Sequence, residues 1–350
     1  MSRPININLS ELDFKSFLKN GCILQKPLSS YCWVATDLVP HPEGLFFLYD
    51  FYKTQVQSYN CKFFAKTTAK ELIQWVNDNF NDNKCQITQR VGDFDNYFQS
   101  DVAMMIESIA NESIEKLVAV TMAEYEFNQI HPISKIQGFS DLNGSLYGMW
   151  QDGHGFLGVS PEPLFMKEEK NWKTRALAGT IGTDVKNYAN IILNDQKELA
   201  EHNLVIEDIC SKLSSKVEKI DLGPTLVSSF GPIAHLQTEI LFDSDDCTEL
   251  ELVDLLSPTA ALGGYPRDLV FHYLRQQNYF RIEQEKRLFG GVFGLKIPEE
   301  AFGLVAIRNI YWKEDKIFIH SGCGVVASSN VEKELKEIKM KRDSIERIFR

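Results

Sequence analysis

The sequence predicts an α+β fold of mostly antiparallel sheets with helices packed outside them, and three features carry the prediction. Residues 302–312 ("FGLVAIRNIYW") and 316–326 ("KIFIHSGCGVV") are apolar, β-rich and separated only by "KED", which reads as a hairpin. Strand-like runs arrive as hairpins and meanders as often as beside helices, which disfavours a doubly wound parallel sheet. The glycines of "ALGGYP" and "LFGGVFG" match neither a phosphate-binding loop nor the dinucleotide fingerprint.

In chain order, "GLFFLYDFY" (44–52) is a continuous run of strand length. Residues 69–80 ("AKELIQWVNDNF") repeat their apolar positions at the helical period, and the polar stretches "FNDNKCQ" and "GDFDNYFQSD" after them read as surface turns. A helix is expected over 101–113, then strands over 115–127, 144–150 and 155–161. Helical patterns return at 194–213 and 266–277, and after the hairpin a last helix covers 330–349. No Pro/Gly/Ser linker, low-complexity tract or repeat interrupts the 350 residues, so one domain over 1–350 is expected.

The net charge of −11 excludes a basic surface for nucleic acid or anionic lipid. A small anionic ligand must then be held by locally placed cations. Seven cysteines, an odd number without a C-x-x-C pair, suit reduced thiols, and the opening "MSRPININLSELDF" lacks an apolar signal core. No run approaches a membrane span, and a cytoplasmic protein is expected.

Several charges fall where the local period points inward. Lys116 alternates with Val118 and Val120, and Arg308 shares a strand face with Ala306 and Ile310. Glu201 precedes Val205 and Ile209 by one and two helical turns, and Glu334 shares a stripe with Ile338 and Ile345, with Glu337 three residues on. Each has an ordinary alternative: a lysine reaching back to solvent, an arginine paired with any core acid, solvated helix glutamates. Together they describe a site, because a buried charge without a partner costs several kcal/mol and two or three inward glutamates suit a hard divalent ion such as Mg²⁺. His202 and His235 lack a second His or Cys at metal spacing, so zinc is not expected, and "GVSPEP" lacks the G-x-S-x-G elbow of a serine hydrolase.

The motifs "IEKLVAV", "FLGVSPEPLF", "KTRALAGT", "AEHNLVIEDI", "IAHLQTEI", "LSPTAALGGYP", "RLFGGVFG", "LVAIRNI", "SGCGVVASS" and "EKELKEIKMK", in that order, resemble the chorismate-utilising enzymes. That family includes anthranilate synthase component I, aminodeoxychorismate synthase component I, isochorismate synthase and salicylate synthase. The resemblance covers roughly residues 104–345, with 1–100 as a more variable part of the same fold. It implies two intertwined subdomains with Mg²⁺ and chorismate in a cleft between them. Ala178, Gly179 and Thr180 would lie along the substrate ring, with Gly179 and Thr180 on one carboxylate; Arg308 and the amides around Gly322 and Gly324 would hold the other. Glu201 and Glu337 resemble the family's magnesium ligands, Glu334 a water-mediated one, and Lys341 completes the E-x-x-E-x-x-x-K pattern.

Residue choices within the motifs point to a subclass. Aminodeoxychorismate synthases carry a nucleophilic lysine in the segment where this chain has Ala178, and anthranilate synthases usually lack a lysine at the position of Lys116. The resemblance is therefore closest to isochorismate synthase: water attacks C2 of chorismate and the C4 hydroxyl leaves, with Lys116 as base and Glu162 as acid. No glutaminase partner is expected. Salicylate synthase, anthranilate synthase component I and a catalytically degenerate chorismate-binding paralogue are the alternatives. Ser257, Phe289 and Thr121 depart from the usual His, Tyr and Arg, the first two within the substrate-binding segments.

Overall fold

The computed structural model describes residues 4–54, 56–93, 95–111, 113–168, 171–243, 247–276, 288–298 and 300–350. Two large sheets dominate. In one the strands follow the order Ile5–Asn6, Phe63–Thr68, Tyr31–Thr36, Asn20–Gln25, Ser145–Gln151, His154–Ser160, Asn309–Lys313, Lys316–Val326, Lys116–Phe127, Gly264–Tyr265, with Ile87–Asp93 also on Lys116–Phe127. In the other the order is Ile220–Leu222, Ile233–Asp243, Asn171–Gly182, Pro163–Glu168, Glu300–Val305, Val292–Ile297, Phe46–Tyr49, Val56–Asn60, Val39–Pro40, with Leu226–Phe230 on Ile233–Asp243. Apart from Ile5–Asn6, which runs parallel to Phe63–Thr68, the paired strands among the described residues are antiparallel. The fold is α+β, as the hairpin pattern predicts.

The chain passes repeatedly between the sheets, and one of these passages corrects the sequence reading. "FGLVAIRNIYW" is not one strand: Glu300–Val305 belongs to the second sheet and Asn309–Lys313 to the first. The strand expected over 155–161 is found as His154–Ser160 in the first sheet, after which the chain passes to Pro163–Glu168 in the second. An apolar, β-rich run does not record which sheet it joins, and Glu300–Val305 is buried at every residue rather than at alternate ones. "GDFDNYFQSD" is not a surface turn either; it spans the end of strand Ile87–Asp93 and the start of helix Asp95–Asn111, whose polar residues lie at an element boundary. The helix Glu249–Leu256, with its Thr248/Glu251 capping box, was not anticipated, being only eight residues long.

The sheets pack on each other through shared apolar clusters. Cys22, Leu24 and Ala35 of the first meet Phe46, Leu48 and Phe293 of the second. Leu117, Ala119 and Val325 meet Phe47, Tyr49, Trp172 and Ala176, with Val205 and Ile209 of helix Gln196–Leu213 and Ile338 of helix Val331–Glu346 closing the cluster. Each large side chain buried this way contributes about 2 kcal/mol, which fixes the passages between sheets against one another. No helix among the described residues is long and apolar enough to cross a membrane.

Candidate active site

The two passages between sheets lie side by side. Val305 N donates to Glu162 O at 3.0 Å, Val159 N to Arg308 O at 3.1 Å, and Ser160 Oγ to Val305 O at 2.7 Å. Glu162 and Arg308 are thus presented at neighbouring corners, both lining one cleft of about 640 Å³ counting the open space at its mouth. Arg308 does not sit on a strand face with Ala306 and Ile310. Its φ of +53° is left-handed, a conformation that a non-glycine residue keeps only when its surroundings hold it.

Its carbonyl is held by Val159 N and its side chain by His235. Arg308 Nη2 lies 2.9 Å from His235 Nε2, and a guanidinium can only donate, so Nε2 accepts and the ring proton sits on Nδ1. Nδ1 faces Gly179 O at 2.9 Å and Thr180 Oγ1 at 3.1 Å. Burial, and then the Arg308 charge, push the imidazole pKa well below its ordinary value, so His235 is a neutral connector between the guanidinium and the Ala178–Thr180 segment. That segment belongs to strand Asn171–Gly182, where the register slips between Ala178 and Thr180 and Gly179 takes φ +75°. The bulge turns Thr180 N toward Glu198 Oε2 at 2.7 Å.

The acidic part of the site comes from two helices. Asp195 caps the first by accepting from Lys197 N and Glu198 N at 2.9 and 3.2 Å, a contribution of about 1 kcal/mol that fixes where its first turn begins. Lys197 Nζ then lies 3.2 Å from Glu198 Oε1, 3.3 Å from Glu201 Oε2 and 3.3 Å from Glu334 Oε1 of the last helix. Lys116 Nζ approaches Glu201 Oε1 at 2.9 Å with no exposure of the lysine side chain. Burial opposes the charge on Glu201, but Lys116 and Lys197 outweigh it and hold the carboxyl at about 2. Glu198 is pushed up to about 7 by burial, against the pull of Lys197, and Glu334 is raised by burial and by Glu337. Glu337 pairs with Lys341, which also donates to Gly322 O at 2.8 Å.

Gly324 is required by this packing. A Cβ there would stand 2.1 Å from Glu201 Oε1 and 2.8 Å from Lys116 Cε.

Of the residues singled out in the sequence, Glu162, Ala178, Gly179, Thr180, Glu201, Phe289, Arg308, Gly322, Gly324 and Glu337 line the cleft. Phe289 stacks on His320, ring centroids 5.6 Å apart. Glu334 lines an adjoining outer cavity that shares Thr180 and Glu337 with the inner one. Lys116 does not line the cleft: it lies under the floor, covered by Glu201 and Gly324. Ser257 also falls outside the lining, because it caps the helix Glu249–Leu256 with its side chain turned into the protein; the contact with Glu162 is made instead by Thr259, whose Oγ1 donates to Oε1 at 3.1 Å. Thr121 is buried on strand Lys116–Phe127 outside the lining. Burial pushes Glu162 up to about 7 even so.

The sequence reading missed Lys197, Glu198 and Thr259, and it took His235 only as no zinc ligand, not as the partner of Arg308. Glu198 was within reach, since it stands three residues before Glu201 and so on the same helix face.

Four carboxylates offer the hard oxygen donors that Mg²⁺ takes, and a cation, the Lys197 ammonium, already stands at the meeting point of three of them. Among the described residues no three acidic, imidazole or thiol groups stand close enough together to coordinate one ion directly. Lys197 spaces the carboxylates apart. The donor set fits the ion; the present rotamers fit the lysine.

A family model described as "Chorismate binding enzyme" matches residues 52–350. The chain belongs to that family. Among its curated relatives, "Isochorismate synthase MenF" of Escherichia coli (strain K12) is 26% identical over 246 residues, 68% of this chain and 56% of the relative. "Salicylate biosynthesis isochorismate synthase" of Pseudomonas aeruginosa is 28% identical over 256 residues, 70% of this chain and 52% of the relative. The matched segment spans about half the length of these curated relatives. Among solved structures, the menaquinone-specific isochorismate synthase MenF from Escherichia coli superposes with a TM-score of 0.80 at 20% identity, covering 98% of this chain and 93% of that one. A putative 2,3-dihydroxybenzoate-specific isochorismate synthase, DhbC, from Bacillus anthracis gives 0.80 at 20% identity over 97% of both. Anthranilate synthase component I from Streptococcus pneumoniae gives 0.66 at 16%. The antiparallel two-sheet architecture is therefore that of the chorismate-utilising fold.

Proposed function

We propose that this protein is a Mg²⁺-dependent isochorismate synthase, converting chorismate to isochorismate. The observation that carries the reading is Glu162, a carboxyl buried on the cleft wall and poised at about 7, in the same cleft as the glutamate cluster and with Lys116 beneath the floor. The relatives whose names give this activity point the same way. Ala178 faces the cleft where an amine nucleophile would otherwise stand, which removes the covalent route to an aminated product.

Arg308 is placed to pair with one carboxylate of chorismate, with Thr180 and the backbone at Gly179 beside the other. A magnesium ion held by Glu201 and Glu337, with Glu198 and Glu334 behind them, would draw charge from the ring carboxylate as the ring rearranges. Lys116, as the free amine and reached from the cleft when the Glu201 side chain moves aside, takes a proton from the water that attacks C2, and Glu162 protonates the departing C4 oxygen. Atoms balance, since one hydroxyl enters as another leaves, and the reaction runs in both directions.

Incubation of the purified protein with chorismate and Mg²⁺, with products separated chromatographically, is expected to give isochorismate without ammonia or glutamine. Anthranilate formed only with added ammonia overturns the subclass. Salicylate adds pyruvate elimination to the activity, and bound but unchanged chorismate marks a degenerate paralogue.

Lys197 competes with the metal on this reading. Lys197→Met is expected to tighten Mg²⁺ binding several-fold in a calorimetric titration and to lower the melting temperature of the metal-free protein, because three carboxylates lose their only shared cation among the described residues.

A further inference from the structure

The segment between helix Glu249–Leu256 and helix Arg267–Gln276 touches three parts of the site at once. Thr259 turns the chain by accepting from Leu262 N at 3.0 Å and Gly263 N at 2.9 Å, and its hydroxyl donates to Glu162. Ala261 and Leu262 line the cleft. Gly264 and Tyr265 then pair with Leu117 and Lys116, so closely that a Cβ at Gly264 would stand 2.3 Å from Lys116 O. Acid and base strand are thus spanned by one short stretch of chain.

That stretch has one charged anchor, which lies within the motif "AEHNLVIEDI" but has no part in the proposed chemistry. Asp208, 1% exposed, accepts from Ala260 N at 3.2 Å and from Arg267 Nη2 at 2.9 Å. The same guanidinium donates to Leu255 O at 2.6 Å and Leu256 O at 3.1 Å, tying both ends of the segment to one point. Asp208 stands two helical turns after Glu201 on the helix Gln196–Leu213, so the helix that carries the glutamate cluster also clasps the segment that reaches Glu162. A buried ion pair is weak evidence for stability, since an apolar replacement often serves as well. Its directionality is another matter: a carboxylate that takes a backbone N–H and a guanidinium together sets the position of both.

We propose that the Asp208–Arg267 pair is a positioning device that holds the Thr259 hydroxyl against Glu162, and so fixes the acid relative to the strand bearing Lys116. The inference rests on the reading of Glu162 as the acid.

The test is a double-mutant cycle of Asp208→Asn and Thr259→Val, read by isochorismate formation, by KM and by the pH profile of kcat/KM. Asp208→Asn keeps the side-chain shape and weakens the clasp. It is expected to lower kcat about 10-fold, the scale of a small misplacement of a reacting group, with KM little changed. The Thr259 hydrogen bond lowers the pKa of Glu162, so its loss moves the alkaline limb to higher pH in either single variant. Lys116 and Lys341, the charges that act on Glu162, are untouched by both changes. The double variant is expected to lose no more than Thr259→Val alone.

Multiplicative losses in the double variant overturn the proposal. So does an Asp208→Asn protein with normal kcat and an unmoved alkaline limb that merely melts lower, since Asp208 is then only structural. If Asp208→Asn does not fold, Arg267→Lys replaces it in the same cycle, retaining the charge toward Asp208 while losing the paired carbonyl contacts. Normal turnover by Glu162→Gln is a different result: it removes the acid assignment and this inference with it, whereas an inactive Glu162→Gln beside additive losses removes the clasp alone.

Discussion

Lys116→Ala and Glu162→Gln are each expected to lower kcat by at least ~10²-fold, the usual scale for removing a positioned proton-transfer group. The losses are expected to combine far less than multiplicatively, because one step uses both groups. Their side effects differ, and the structure says how. Lys116→Ala leaves Glu201 without its nearest cation, so its carboxylate falls to Lys197, with a weaker pull from Lys341. Glu162→Gln removes a group that resists ionisation. The folded pKa of Glu162, about 7, lies above its ordinary 4.5, so the folded state holds a proton that the unfolded chain releases. Stability from this group is complete below about pH 4.5 and is lost as pH rises through 7. Glutamine never has to ionise. Glu162→Gln is therefore expected to be inactive yet more stable than the parent at pH 8, by on the order of 3 kcal/mol from the 2.5-unit gap. Thermal melts of both proteins at pH 5 and pH 8 check this, and equal melting behaviour at both values removes the claim that Glu162 is desolvated. Near-normal turnover by folded Lys116→Ala removes the base.

The parts of this protein that were legible in its sequence are those set by local period. The helix 69–80 is found at those bounds, the hairpin ending in "KIFIHSGCGVV" is present, and Glu201 and Glu334 are buried on the helix stripes where the 3.6-residue period put them. Position across the sheets was not legible, because strand alternation carries no record of which sheet a strand joins. Arg308 shows the consequence. Its inward position was right, but its cause is a left-handed corner between sheets, with the side chain paired to a histidine 73 residues away in sequence, which no window contains. Lys116 shows the converse. Its strand face was read correctly, and yet it is sealed beneath Glu201 rather than open to the cleft, because the outcome depends on the glycine at 324 and a carboxylate from another element. Lys197 carried no signal at all: at the start of a polar helix a lysine looks solvated, and only the meeting of two helices gives it three carboxylates.

Glu201→Gln and Glu337→Gln are each expected to weaken Mg²⁺ binding by at least ~10-fold, since a neutral amide loses the charge that holds a hard cation. Measured by calorimetry with chorismate present, unchanged affinity in both variants would falsify the metal assignment. The structure separates the two in the metal-free protein. Glu201 is held at about 2 by its neighbours and is the close counter-charge of Lys116, whose side chain has no exposure. Glu201→Gln leaves that ammonium buried and uncompensated, at a cost of roughly 3 kcal/mol. Glu337 is less deeply buried and faces Lys341, which keeps its bond to Gly322 O when the carboxylate is gone. Glu337→Gln is expected to melt close to the parent. A binding defect shared by both variants with a stability defect confined to Glu201→Gln places both carboxylates on the ion and assigns only Glu201 the second duty of holding Lys116 in reserve. Equal destabilisation of both contradicts the 2.9 Å pairing as the source of that duty.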